Sequence, residues 1–222
     1  MPSEFRDNQV GTSGLKSPLT SPLGRSAHVH FENRFDVQIE MVWPGPLSGR
    51  ESGSGPLEVP AVPPGYELRQ FRPGDEAAYN ELFHLAFADE DKLEHTRATA
   101  LEDGFFVIEH TNSGHLVATC AAQHIENDRH PEGGQLGWLV GDPAHSGKQL
   151  GTIVSAVVTN RLADAEYSLP YLQTNDFRYE VIAIYLKLGW PPYLFAEDMK
   201  PRWRDVYAGK EQTFTSSDYV IA

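Results

Sequence analysis

The chain has 222 residues, of which 40% are hydrophobic, and it carries a formal net charge of −13 at pH 7. This length predicts one domain of ordinary size with additional segments, and the negative charge argues against nucleic-acid phosphates as a ligand. The single cysteine, Cys120, excludes an internal disulfide and favours a reducing compartment. No apolar run is long enough to cross a membrane, and the N-terminus lacks the pattern of a secretory signal. We therefore expect a cytoplasmic protein.

Three segments precede the main domain. Residues 1–27 are rich in Ser, Gly and Pro, so we interpret them as a disordered tail. Residues 28–43 are predicted to form an accessory strand segment, because apolar residues alternate with polar ones at Phe35, Val37, Ile39 and Met41. A lone strand is unstable, so this one must pair with the main sheet or, in a homodimer, with a second subunit. Residues 44–65, rich in Pro, Gly and Ser, are interpreted as a linker. His28 and His30 lack a further ligand nearby, and we predict no metal site.

A main domain is predicted over residues 66–196. It begins with a strand at Tyr66–Phe71 and a turn that ends at Asp75, the expected capping acid of a helix over Glu76–Ala88. The side of this helix predicted to face inward carries Ala78, Leu82, Leu85 and Ala86. A second helix is predicted over Lys92–Leu101.

A three-strand meander and two helices follow. The predicted strands are Gly104–His110, His115–Ile125 and Leu136–Val140, with a hairpin turn after the first and the polar loop Glu126–Gly134 before the last. The remaining predicted elements are a helix from Leu150 to about Ala163, a strand at Leu169–Thr174, a helix at Arg178–Leu188 ended by Gly189, and a strand at Trp190–Phe195 that lies at an edge or begins beyond its two prolines. Residues 197–222 are a C-terminal extension, predicted to have a short helix over Arg202–Tyr207 and a loose tail.

The strand Leu136–Val140, the turn Ser146–Gly151 and the helix after them have the form of an anion-binding site. Backbone N–H groups in the first turn of a helix lack intrahelical partners and lie at the positive end of the helix dipole. This turn is not a P-loop, because Gly141 lies one residue too far from Gly147 and Lys148 is not followed by Ser or Thr. A dinucleotide fingerprint is only partly present.

The string VGDPAHSGKQLG resembles the acetyl-CoA loop of the GNAT superfamily of N-acyltransferases. The matching residues are Val140, Pro143, Gly147, Lys148, Leu150 and Gly151. Ser146 stands where the family usually has Arg or Gln, and Gln149 where it usually has Gly. A side chain at Gln149 must therefore point away from the cofactor, or the loop must shift.

A second stretch, LQTNDFRYEVIAIYLKLGW, is similar to the C-terminal motif of the same superfamily. Tyr185 and the pair Gly189-Trp190 match, with Trp in place of Phe, whereas Val181 stands where the family often has Ala. The resemblance covers about residues 65–195. The order of predicted elements indicates an α+β fold, and the resemblance implies a mixed, mostly antiparallel GNAT-like central sheet flanked by helices, with the accessory N-terminal strand added.

The resemblance also implies a function and roles for individual residues. It implies an acetyl-CoA-dependent N-acetyltransferase acting on a small-molecule amine. Main-chain groups of Leu139 and Val140 would meet the pantetheine arm, and Tyr185 would donate its proton to the departing sulfur. Asn175 would cap the last helix or contact the cofactor. The residues whose backbone amides would hold the pyrophosphate are Ser146, Gly147, Lys148, Gln149, Leu150, Gly151 and Thr152.

The general base is not specified by the sequence. Glu126 and His124 end the strand that should border the substrate cleft, and either could accept a proton directly or through water. Three hypotheses therefore remain open: an enzyme, an acyl-CoA-binding domain of the same fold without turnover, and an interaction protein whose N-terminal strand mediates dimerisation.

Overall fold

The computed structural model describes residues 37–44, 56–87, 91–210 and 212–222. The predictions for residues 1–27 and for His28 and His30 lie outside these ranges. One mixed sheet organises the described chain, with helices on both faces, which confirms the α+β class. The strands are β1 Ile39–Val42, β2 Tyr66–Gln70, β3 Ala100–His110, β4 His115–His124, β5 Gly134–Gly141, β6 Tyr171–Thr174, β7 Pro192–Leu194 and β8 Val220–Ile221. The helices are α1 Glu76–His84, α2 Leu93–Thr99, α3 Leu150–Asp164, α4 Tyr179–Leu188 and α5 Met199–Ala208.

The strand order is β2-β3-β4-β5-β6-β1-β7-β8. Neighbouring strands are antiparallel except for β5 with β6 and β7 with β8. The larger apolar cluster joins the sheet to α3, α4 and α5, and a second cluster, rich in aromatic rings, joins it to α1 and α2. The sheet is therefore buried between two helical layers, in agreement with the eight consecutive buried residues of β4.

Strand β1 lies inside the sheet, between β6 and β7. The alternating pattern predicted a half-buried strand, but all four residues of β1 are buried, including Glu40. The expectation of a solvent face was wrong because side chains from β6 and from the β4–β5 loop cover that face at Glu40. Both edges of β1 are paired within the chain, so residues 39–42 offer no free edge for the predicted homodimer contact.

The first helix turns a different side inward from the predicted one. The buried residues of α1 are Tyr79, Leu82 and Phe83, whereas Leu85 is 56% exposed. The aromatic cluster explains this, since Tyr79 packs on Phe105 and Phe83. Asp75 stands at the N-cap position but makes no cap hydrogen bond, because its carboxylate binds the guanidinium of Arg69 at 2.6 and 2.9 Å.

Two terminal segments are more ordered than their composition suggests. The C-terminal tail returns to the sheet as β8, where the sequence predicted a loose end. Within the predicted linker, Leu57 exchanges backbone hydrogen bonds with the Asn160 side chain at 2.7 and 3.0 Å, so this part packs on α3. None of the helices in the described ranges is long and apolar enough to cross a membrane.

Candidate functional site

Strands β5 and β6 pair at one end and separate toward their carboxyl ends. Their pairing register contains Gln135 opposite Tyr171 and does not extend further. On its other side β5 carries a bulge against β4 between Val140 and Gly137, with Trp138 at a positive φ of 55°. A bulge re-aims the backbone and increases the local twist. We call the resulting gap between the carboxyl ends of β5 and β6 the wedge.

The predicted anion loop follows β5 directly. A short 3₁₀ turn at Pro143–His145 is capped by Asp142, which accepts a hydrogen bond from the Ala144 N–H at 2.8 Å. Gly147 then takes a φ of +76°, which glycine adopts without strain. The N–H of Ser146, the first residue of the predicted row, already donates to the Pro143 carbonyl at 3.2 Å. From Gly147 to Thr152, the backbone N–H groups have no hydrogen-bond partner among the described residues. These donors and the dipole of α3 point to the same place, so the loop can bind a diphosphate.

Gln149 occupies the loop position where the GNAT superfamily usually has Gly. It is the residue before α3 and adopts the left-handed conformation, with φ 59° and ψ 19°. Its side-chain oxygen accepts a hydrogen bond from the Lys187 ammonium on α4 at 3.3 Å. The side chain is therefore turned along α4, and the backbone keeps the conformation for which glycine is the usual choice.

We expect Gln149→Gly to stabilise the fold by about 0.5–1 kcal/mol. The gain is the strain of a left-handed non-glycine residue, about 1–2 kcal/mol, less the added backbone entropy of glycine in the unfolded chain. Urea unfolding measures it. Gln149→Ala is the matched control, since it removes the same side chain but keeps the strain. An equal change in both variants would contradict the strain argument.

Gly151 lets the loop approach α4. A Cβ atom at this position would lie 3.0 Å from Cδ1 of Ile184, closer than ordinary van der Waals contact. The two motifs singled out in the sequence, the loop and the helix α4, are thus in direct contact. Leu150, the first residue of α3, is buried in the core and fixes the end of the loop there.

Tyr185 lies on the buried side of α4, in the larger core cluster. Its hydroxyl makes no hydrogen bond within the described part of the chain, yet it is not among the fully enclosed polar atoms. Burial raises the pKa of this phenol well above its usual range, the Cys120 thiol raises it further, and the Arg178 cation lowers it. The hydroxyl therefore stays protonated and is free to donate a hydrogen bond.

Arg178, which the sequence reasoning missed, reaches across the wedge. Its guanidinium donates to the Leu139 carbonyl at 3.2 Å and lies 5.2 Å from the centre of the Phe87 ring. No carboxylate in the described ranges pairs with it. The sequence signal that could have identified Arg178 is its place in the polar turn before α4. In the same turn, the side chain of Asn175 does not cap α4 and accepts a hydrogen bond from Gln38 at 2.9 Å.

Glu126 lies at the amino end of β5, away from the anion loop at its carboxyl end. Its side chain is 65% exposed, and its carboxylate is 3.2 Å from Nε2 of His124. The other ring nitrogen of His124 is 2.9 Å from the Tyr167 hydroxyl. The structure therefore joins the two predicted base candidates to each other, and no contact joins either of them to Tyr185.

A cavity of about 390 Å³ lies beside the narrow end of the wedge. Its lining includes the pair Gln135 and Tyr171, Trp138 at the bulge and His95 of α2. Asp128 and Arg129 from the β4–β5 loop also line it. The volume is within the range of small-molecule sites.

A buried carboxylate lies next to this cavity, and the strand pattern did not predict it. Glu40 accepts hydrogen bonds from the guanidinium of Arg129, from Nε2 of His130 at 3.0 Å and from the Gln173 amide at 2.8 Å. Burial alone would raise the pKa of this carboxyl, but these hydrogen bonds outweigh burial and hold the pKa at about 2. Glu40 is therefore ionised, and its charge is used to bind Arg129. No group of three or more potential metal ligands occurs in the described ranges.

Comparison with known proteins points to one superfamily. None of the protein-family models searched matches the chain. The mycothiol acetyltransferase of Sanguibacter keddieii is 31% identical over 168 residues, which are 69% of this chain and 53% of that protein. The chain thus spans about half the length of this curated relative.

Solved structures agree on the fold. A GCN5-related N-acetyltransferase from Sphaerobacter thermophilus superposes with a TM-score of 0.53 at 20% identity, over 77% of this chain and 54% of the other. A Drosophila protein superposes with a TM-score of 0.51 at 16% identity, over 77% and 55% of the two chains. At these identities the likeness concerns the fold alone.

Proposed function

The chain belongs to the GNAT superfamily, and on that premise we propose that it transfers an acetyl group from acetyl-CoA to the primary amine of a small molecule. The observation that carries this proposal is the row of unpartnered N–H groups from Gly147 to Thr152 at the start of α3. Outward-facing donors at the positive end of a helix dipole form a binding site for an anionic ligand. The name of the mycothiol acetyltransferase relative supports the same class of reaction.

Each part of the site has a proposed role. The loop amides and Lys148 hold the diphosphate, and main-chain groups of Leu139 and Val140 orient the arm that leads to the thioester. Acyl transfer develops negative charge on the carbonyl oxygen and then on the leaving sulfur. Tyr185 donates a hydrogen bond to that sulfur, because its hydroxyl keeps its proton and has no other partner. Glu126 is proposed to accept the amine proton through water, and Asn175 to contact the cofactor from the turn before α4.

Calorimetric titration with acetyl-CoA, followed by an assay of free-thiol release with a panel of amines, tests the proposal. We expect binding at submillimolar cofactor and amine-dependent thiol release. Lys148→Glu should weaken binding at least tenfold, because it places a negative charge among the donors of the loop. Arg204→Glu, an equal charge reversal on the exposed side of α5, is the control. If wild-type protein fails to bind acetyl-CoA, the proposal is wrong.

A second candidate is a domain that binds an acyl-CoA without turnover. The guanidinium of Arg178 favours it, since this group already occupies the Leu139 carbonyl that the cofactor arm would use. This candidate predicts cofactor binding without thiol release for any amine in the panel. A carbonyl oxygen has two lone pairs, so both donors can bind it together, and we therefore prefer the enzyme.

A further inference from the structure

The cavity beside the wedge has a definite electrostatic character. Its lining carries the carboxylate of Asp128, the imidazole of His95 and the guanidinium of Arg129, among neutral amide and aromatic groups. The Arg129 charge is balanced by Glu40, because Nε and Nη2 of the guanidinium bind the carboxylate oxygens of that residue, and the guanidinium lies over the Phe195 ring at 4.3 Å. Asp128 is exposed, and no described side chain makes a hydrogen bond or an ion pair with it at contact distance.

The neutral lining groups provide the remaining specificity. Gln135 and Gln173 contribute side-chain amides, which can donate to and accept from a hydroxyl. The Trp138 ring offers an apolar surface, and the Lys92 ammonium, 5.9 Å from the centre of this ring, does not line the cavity. The cavity therefore presents the exposed carboxylate of Asp128, beside the Arg129–Glu40 pair, together with neutral hydrogen-bonding partners.

We infer that this cavity is the acceptor site and that it selects small cationic amines bearing neutral hydrogen-bonding groups over amines that also carry a carboxylate or a phosphate. The inference rests on the proposed acetyl transfer. Asp128 attracts the ammonium form of the acceptor, and Trp138 and the two glutamines contact its body. An anionic group would compete with the fully buried Glu40 carboxylate for the guanidinium of Arg129, and Asp128 would repel it. That competition is unfavourable, so Glu40 and Asp128 together act as a filter against anionic acceptors.

The test compares matched acceptors that differ by one anionic group: glucosamine with glucosamine 6-phosphate, cadaverine with lysine, and tyramine with tyrosine. Thiol release at saturating acetyl-CoA gives kcat/KM for each. We expect the member without the anionic group to be favoured at least tenfold within each reactive pair. Equal or reversed preference would overturn the inference while leaving the proposed function intact, whereas absence of acetyl-CoA binding would remove the proposed function itself.

Variants of Asp128 give an independent test, because this residue lies in an exposed loop and its replacement is tolerated by the fold. Asp128→Asn should raise KM for the cationic acceptor about tenfold, and Asp128→Lys should invert the preference within a pair. Neither variant should change the Kd of acetyl-CoA. Asp164→Asn, at the exposed end of α3, is the matched control. If Asp128→Lys keeps the wild-type preference, Asp128 does not face the acceptor and the assignment is wrong.

Discussion

Replacing Tyr185 with phenylalanine should lower kcat by about 10²-fold without destabilising the protein. A positioned hydrogen-bond donor to a developing negative charge contributes about 10²–10³-fold to catalysis. The Tyr185 hydroxyl has no hydrogen-bond partner in the described structure, so its removal leaves no other group unsatisfied. We expect the free energy of unfolding to change by less than about 0.5 kcal/mol and Tm by about 1–2 °C. Steady-state thiol release and thermal unfolding of the same preparation measure both.

Tyr207→Phe is the matched control for this prediction. Tyr207 is also a buried tyrosine of the larger core cluster, but it lies on α5, where its ring neighbours are Trp203 and Phe214. The same loss of a hydroxyl there should leave kcat unchanged. If Tyr185→Phe unfolds the protein, or if both variants lose the same activity, Tyr185 is a structural core residue and the donor role is wrong. Binding of acetyl-CoA should be retained in Tyr185→Phe, which separates a loss of chemistry from a loss of cofactor.

The elements that pack by simple periodicity could be predicted from the sequence. β4, β5 and the helices α3 and α4 occur where the apolar pattern placed them, and Gly189 ends α4 with a φ of +93°. β3 was also predicted, but it begins at Ala100, within the predicted second helix. The predicted burial was wrong for strands that are covered on both faces, or whose polar side chains are covered by residues distant in sequence. β1 appears amphipathic in sequence, yet its polar residue Glu40 is buried by side chains from residues 129, 130 and 173. Only the folded chain brings these groups together.

The site was predictable to the extent that it is local. The anion loop consists of consecutive residues, so its unpartnered amides follow from the strand–turn–helix pattern. The departure at Gln149 looked unfavourable in sequence, and Lys187, almost forty residues away, provides the contact that turns its side chain aside. The cavity combines α2, the β4–β5 loop, β5 and β6, and no spacing in the sequence indicates such a combination.

The buried carboxylate of Glu40 should dominate the acid sensitivity of the fold. Its pKa is about 2 in the folded protein, against an ordinary value of 4.5. Between these values the unfolded chain binds more protons than the folded chain, so stability rises with pH through this window. The contribution is complete above about pH 4.5 and is lost as the pH falls to about 2. A shift of this size corresponds to about 3 kcal/mol.

Glu40→Leu should therefore destabilise the protein by about 3–5 kcal/mol at pH 7, because it leaves the buried His130 and the stacked Arg129 without their anion. Urea unfolding at pH 7, 5 and 3 gives the measurement, and the variant should lose less stability than the wild type between pH 5 and 3. The double variant Glu40→Leu with Arg129→Met should recover part of the loss, since it removes the unpaired cation together with its partner. If wild type and Glu40→Leu lose stability in parallel below pH 5, the titrating carboxylate is not Glu40, and its hold on Arg129 is too weak to exclude anionic acceptors.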